Sequence, residues 1–442
     1  MVNNLLKKQL VSLKFRIRTA SKQHLMRNML TMITGAVAAQ IISFLFIPLV
    51  TRLYGPEVFG ALGVFTSMIG IVLPIAALTF PVAIVLPKYD NDALSLVKLS
   101  LGISLIAAIL MAVFLSIFSD AILNVFQIEV LENYIFFIPL AMFLGVSLQV
   151  TMQWFIRKKR FATIAKTTVF QTIIINLNKV GFGFAYPYTA TLIWITILGY
   201  GLQSFLFLLS FKDKLVFKKI VISLKQTSNL KSIAKEYKDF AIYRTPEVFI
   251  NAVSQSLPVL MLTVLYSPIA AGFYTIARTV LELPTQLIGR SVGDVFYPRI
   301  SEIANKGENI SRILLKTTGS LALVGIIPFS FIIIYGPDIF GIVFGVDWTD
   351  AGEYGRSLAL LSLFTFINIP SVKTLTVISA QRLLLFFSLI STVLRLGALS
   401  IGAFIFNNDV ISLALFSITG AILNLILILL TFRLAVNFER KR

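Results

Sequence analysis

Apolar stretches of about twenty residues, each long enough to cross the roughly 30 Å hydrocarbon core of a bilayer as a helix, follow one another along this chain. Twelve such runs fall at approximately 28–50, 61–86, 97–118, 134–156, 167–187, 190–210, 241–266, 269–297, 317–344, 357–379, 382–406 and 410–434. Only 13% of the 442 residues are charged and 57% are hydrophobic. A water-soluble domain needs about a quarter of its residues charged to wet its surface. The expectation is an all-α polytopic membrane protein with 12 transmembrane helices.

The net charge of +19 would otherwise suggest a nucleic-acid partner, but the basic residues sit in short loops between apolar runs, so none is expected. Lysine and arginine resist translocation and mark the cytoplasmic side. With both termini inside, only Arg52 and Arg356 of the 39 basic residues lie outside, and Lys179, Arg278, Arg290 and Arg395 fall within spans. The remaining 33 are cytoplasmic. Outer loops carry acids instead: Asp120, Glu129 and Glu132, then Asp338, Asp347, Asp350 and Glu353.

There is no cysteine, and the single histidine is His24. Thiol catalysis, disulfides, thiolate metal sites and histidine clusters are thereby excluded. No glycine is followed by lysine, so the chain has no phosphate-cradling P-loop. No cleavable signal peptide is expected, because the first apolar run follows too long and cationic a lead and no cleavage site comes after it. No catalytic residue, metal or cofactor is expected, and the chain is read as not an enzyme.

Residues 1–27 form a basic arm with Leu6, Leu10, Leu13 and Ile17 on one helical face, suited either to an anionic membrane surface or simply to setting topology. Residues 212–240, with eight lysines, form a basic cytoplasmic linker between a six-helix lobe at 28–211 and another at 241–434, leaving a tail at 435–442. Leu53-Tyr54-x-Pro56-x-x-x-Gly60 recurs as Leu265-Tyr266-x-Pro268-x-x-x-Gly272, and Asp120, Val125 and Phe126 recur as Asp338, Val343 and Phe344. Each recurrence is displaced by six helices. Two parallel-repeat six-helix bundles around a central cavity are therefore expected.

Charge inside a bilayer costs several kcal/mol or more, so buried ions line water or pair with each other. Arg278, Glu282 and Gln286 share one face of the eighth helix with Gly289 and Gly293, and Arg395 shares a face of the eleventh with Ser388, Ser391, Thr392 and Gly402. Lys179 and Gln171 belong to a polar sector of the fifth helix, and Gln149 lies on the fourth, one turn from Gln153. Arg278, Arg395 and Lys179 are candidate ligands for an anionic head, since a guanidinium donates paired hydrogen bonds to phosphate or carboxylate. Gln149, Gln171 and Gln286 are candidate contacts for sugar hydroxyls. Glu282 and Glu247 are candidates for a coupling proton or sodium ion. The alternatives are an Arg278–Glu282 pair that merely neutralises itself, a structural Arg290–Asp294 pair, inter-helix salt bridges at Lys179 and Arg395, and a helix-start acid at Glu247. Prolines inside spans are expected to be tolerated kinks.

The run Pro48-Leu-Val-Thr-Arg-Leu-Tyr54-Gly-Pro-Glu-Val-Phe-Gly60, then Ala83-Ile-Val-Leu-Pro87, Tyr274-x-x-Ala277-Arg278, Val295-Phe-Tyr-Pro-Arg299 and Val343-Phe-Gly-x-x-Trp348-x-x-Ala351-Gly352 together resemble the polysaccharide transporter family. That family belongs to the multidrug/oligosaccharidyl-lipid/polysaccharide exporter superfamily. The resemblance implies a flippase of bacterial inner membranes that moves undecaprenyl-diphosphate-linked repeat units of O-antigen or capsule by alternating access. Its partners would be the lipid-linked oligosaccharide, membrane lipids, a coupling proton or sodium ion and other polysaccharide assembly proteins. The chain departs from the family at Thr79-Phe80-Pro81, where relatives carry an Arg-Tyr-Glu-like stretch. A cation-coupled multidrug exporter, a membrane polymerase or ligase, and a structural assembly partner are the competing readings. The excess of intramembrane cations and the short outer loops argue against them.

Overall fold

The structure is a computed structural model that describes residues 31–126, 131–210 and 230–440. The basic arm at 1–27, most of the 212–240 linker, Glu129 and the last two residues of the tail lie outside the described residues, as do the side chains of Arg290 and Asp294. No strand occurs among the described residues.

The principal helices are α1 (Thr31–Leu53), α2 (Pro56–Ala76), α3 (Asp90–Phe126), α4 (Ile138–Arg157), α5 (Phe161–Ala185) and α6 (Thr189–Leu209). After these come α7 (Thr245–Leu265), α8 (Pro268–Pro284 continuing to Arg290–Lys306) and α9 (Ile310–Phe344). Last are α10 (Thr349–Ile367 then Ile369–Val377), α11 (Gln381–Ile401) and α12 (Asp409–Arg440). Among the described residues, ten helices are long and apolar enough to cross a membrane. The runs expected at 167–187 and 269–297 do form α5 and α8 but are not among the ten, because polar residues interrupt both.

Several boundaries differ from the sequence reading, each for a local reason. The second run stops at Ala76 rather than continuing to 86, because Leu78 and Thr79 adopt positive φ of 47° and 51°, and a short helix restarts at Phe80–Ala83. Such left-handed backbone is unfavourable for non-glycine residues and ends a helix. Thr79 Oγ1 donates to the Phe240 carbonyl at 3.0 Å and pairs with Thr245 Oγ1 at 3.2 Å. The chain at Phe240–Arg244 is itself a π turn, so two irregular segments satisfy each other. Helix α10 breaks at Asn368, just before Pro370, which has no N–H to continue the ladder. Ser267 caps α8 through the Ala270 amide at 3.1 Å, with Pro268 at the first helical position.

The chain forms two compact units. One comprises residues 1–47, 69–119 and 134–252; its core includes Phe80, Leu96, Val146, Trp154, Phe155 and Phe207. The other comprises residues 48–68, 120–133 and 253–442.

Within the second unit, the end of α1 and the start of α2 pack on α8 and the end of α9. Thr51 Oγ1 donates to the Phe344 carbonyl at 3.1 Å, and Trp348 Nε1 donates to the Thr51 carbonyl at 3.0 Å. Phe59 and Phe273 set their rings edge-on to Trp348, with centroids 5.1 and 6.2 Å away. The two copies of the Tyr-x-Pro-x-x-x-Gly motif meet reciprocally. A Cβ on Gly60 would stand 1.8 Å from the Pro268 carbonyl oxygen, and one on Gly272 would stand 2.0 Å from that of Pro56. No side chain fits either place, because the opposing atoms are backbone.

An alanine in a helix interior is ordinarily favoured over glycine by about 1 kcal/mol. Gly102 on α3 is free to show that gain, since a Cβ there meets nothing within 4 Å. In the purified protein, Gly102→Ala should hold or raise the melting midpoint, whereas Gly60→Ala and Gly272→Ala should each lower it. Equal midpoints for all three would mean the crossing is not close-packed.

Candidate functional site

Helix α8 reverses the usual order of a membrane helix. Its buried side is apolar, with Ala270, Ala271, Phe273, Ile276, Ala277 and Leu281, while its partly exposed side carries Thr275, Arg278, Thr279, Glu282 and Gln286. Helix α9 has the opposite pattern, exposing Leu323, Ile326, Ile327, Phe331 and Ile334. Apolar side chains on an exposed face suit lipid. A guanidinium and a carboxylate left 31% and 41% exposed near the middle of a helix suit water.

Arg278 is held on three sides. Its Nε donates to Glu282 Oε1 at 2.6 Å, Nη1 to the Gln255 carbonyl at 2.9 Å and Nη2 to Gln255 Oε1 at 2.7 Å. Gln286 Nε2 donates to the other Glu282 oxygen at 3.2 Å. The neutralising i,i+4 pair, one of the two readings of this face, is therefore formed.

Arg395 is placed differently. Its guanidinium lies over the Phe416 ring of α12, 4.3 Å from the centroid, and its buried Nε has no hydrogen-bond partner. Among the described residues, no carboxylate pairs with it. Beside it lies Gly420, whose carbonyl accepts from Asn424 Nδ2 at 3.0 Å. Asn424 Oδ1 accepts from Asn368 Nδ2 at 2.8 Å, at the break in α10. A cation, an aromatic ring and two amides thus line up along α12, where it meets α11 and the break in α10.

In the other unit, Lys179 sits in the C-terminal third of α5, half-buried. Gln171 Nε2 reaches the Gly199 carbonyl of α6 at 3.5 Å, and Gln149 is half-buried on α4. Glu247 pairs with Arg244 at 2.8 Å at the start of α7, both about half exposed. Its reading as a helix-start acid is the simpler one. Sequence reasoning passed over Gln255, Phe416, Asn368 and Asn424. A glutamine at the centre of α7 was a usable signal; an aromatic ring or an asparagine meeting a cation from another helix was not.

The two basic residues counted as outer both serve α9. Pro337 has no N–H, which strips the Ile333 carbonyl of its ladder donor, and Tyr335 is non-helical. Arg356 Nε donates to that carbonyl at 2.9 Å and Nη2 to Ile334 at 3.2 Å. Arg52 Nη2 donates to the Ile342 carbonyl at 2.7 Å, in the last turn of the same helix.

A family model described as "Polysaccharide biosynthesis protein" matches residues 49–353. The chain belongs to that family. No curated protein matches it. Its fold is similar to that of an inward-facing multidrug resistance MATE transporter of the MOP superfamily (TM-score 0.76, 14% identity, covering 91% of this chain and 96% of that one). It is also similar to the lipid II flippase MurJ in an inward closed conformation (TM-score 0.68, 15% identity, 92% and 87%). A third likeness is to a Pyrococcus furiosus MOP-superfamily transporter described as having a binding pocket of reverse polarity (TM-score 0.62, 14% identity, 94% and 95%).

The two arginines should differ in what they contribute to stability. A buried donor without a partner costs about 1–3 kcal/mol, offset at Arg395 by about 1–2 kcal/mol of cation–π attraction. Arg395→Met should therefore leave the melting midpoint unchanged or raise it, while Arg278→Met, which strands Glu282 and Gln255, should lower it. The reverse order in a thermal denaturation series would contradict the hydrogen-bond assignment.

Proposed function

We propose that this member of the polysaccharide biosynthesis family is a flippase that moves undecaprenyl-diphosphate-linked oligosaccharide repeat units, of O-antigen or capsule, across the bacterial inner membrane by alternating access. It works without catalysis. Twelve spans with both termini cytoplasmic form two six-helix halves related by an axis along the membrane normal. The reciprocal packing of the two Tyr-x-Pro-x-x-x-Gly motifs supports that relation, since a two-fold axis puts each copy against the other.

The observation that carries this reading is the cationic pair Arg278 and Arg395, partly exposed on helices where exposure otherwise means lipid. An anionic diphosphate head fits it through charge-assisted hydrogen bonds. Arg395, with its free donor, is the first anchor. Asn424, Gln286 and the partially exposed α8 hydroxyls suit sugar hydroxyls, and Lys179, Gln171 and Gln149 are the corresponding candidates in the first half. Glu282, held by Arg278 and Gln286, is better placed than the surface-paired Glu247 to bind a coupling proton or sodium ion. The family description and the likeness to a lipid II flippase agree in kind with a lipid-linked sugar substrate. The likeness to a multidrug transporter is the observation favouring a drug-exporting alternative, but a cationic site would repel cationic drugs.

In a strain lacking this gene, Arg395→Ala at matched protein level should cut surface polysaccharide at least about tenfold, the effect of losing one or two charge-assisted bonds. Lipid-linked repeat units should accumulate inside. Full export by the Arg278→Ala/Arg395→Ala double variant would sink the proposal.

A further inference from the structure

Gln255 is the central residue of α7, and its side chain is exposed. An amide exposed halfway along a membrane-length helix is poorly placed against lipid, and here it reaches a cation instead. A guanidinium offers an anion two bidentate edges, one from Nη1 with Nη2 and one from Nε with Nη2. Gln255 fills the first edge entirely, accepting from Nη1 on its carbonyl oxygen and from Nη2 on Oε1. With Nε on Glu282, one of the two donors of the second edge is taken as well. Two oxygens of one residue thus stand where two oxygens of a phosphate or carboxylate would bind.

We propose that Gln255 is an internal stand-in for the substrate's anionic oxygens, a positioning residue that sets the affinity of the site by competing for Arg278. This rests on the anion-binding reading of the same site. A transport site must bind firmly enough to load and loosely enough to release. Arg395 supplies the uncontested attraction. Arg278 joins only when the head displaces the Gln255 amide, and the amide returns as the head departs.

The test is binding of inorganic pyrophosphate and of undecaprenyl diphosphate to the purified full-length protein. Because Gln255 is exposed, Gln255→Ala should keep the wild-type fold, which its melting midpoint checks. Loss of one competing bond to a charged group predicts roughly three- to tenfold tighter binding by Gln255→Ala. Gln255→Glu, with a carboxylate on the same nitrogens, should bind more weakly than wild type. Neither change should matter in an Arg278→Ala background. Unchanged or weaker binding by Gln255→Ala, with wild-type binding still dependent on Arg395, would overturn this inference alone. Absence of Arg395-dependent binding of either probe would overturn it together with the anion-site reading.

Discussion

In hydrocarbon there is no water to take an orphaned carbonyl, so every break in a helix has to be repaired by a donor from elsewhere in the protein. That requirement explains much of what is unusual here. Pro337 strips the Ile333 carbonyl and Arg356 supplies the donor. Helix α9 ends at Phe344, where Arg52 and Thr51 from the end of α1 donate to its last carbonyls, and the Thr51 carbonyl in turn accepts from Trp348. Where α2 unwinds, Thr79 donates to the Phe240 carbonyl at a second irregular turn. These donors are mostly cationic or hydroxyl groups, the very groups a bilayer otherwise excludes. Each irregularity therefore fixes both a kink and the polar residue beside it.

The same constraint shows what was legible in the sequence. Hydrophobic run length located the helices because in lipid an apolar stretch has few other stable forms. It failed at helix ends and breaks, since left-handed Leu78 and Thr79 carry no glycine or proline of their own to announce the turn. Counting basic residues by side set Arg52 and Arg356 apart as exceptions, but nothing in the count says that both cap one helix. That depends on contacts across some 290 positions of the chain for Arg52 and on a proline 19 residues before Arg356. The recurring Tyr-x-Pro-x-x-x-Gly motif was visible as a repeat; that its two copies press backbone to backbone was not, because a glycine reads the same whether it faces space or a carbonyl.

For the candidate site, helical periodicity placed Arg278, Glu282 and Gln286 on one face correctly, since i,i+4 neighbours share a face whatever the tertiary fold. It could not rank Arg278 against Arg395. Both are single cations in apolar helices, and the difference lies in partners from other helices: Gln255 from α7 for one, the Phe416 ring from α12 for the other. Treating intramembrane cations as equivalent ligands was the natural reading of the sequence. The structure divides them into one whose three nitrogens each have an acceptor and one whose Nε does not.

If the proposed function holds, that division bears on how such a site would hold a diphosphate without keeping it. Two free arginines in a low-dielectric setting would bind such a head very tightly, since charge-assisted hydrogen bonds strengthen as water is excluded. One arginine with an unoccupied Nε beside one already hydrogen-bonded through all three nitrogens would make a shallower well. The second cation contributes only what its bond to the substrate exceeds its bonds to Gln255 and Glu282. Because those partners come from α7 and from α8 itself, the exchange also ties occupancy of the site to the contact between two helices.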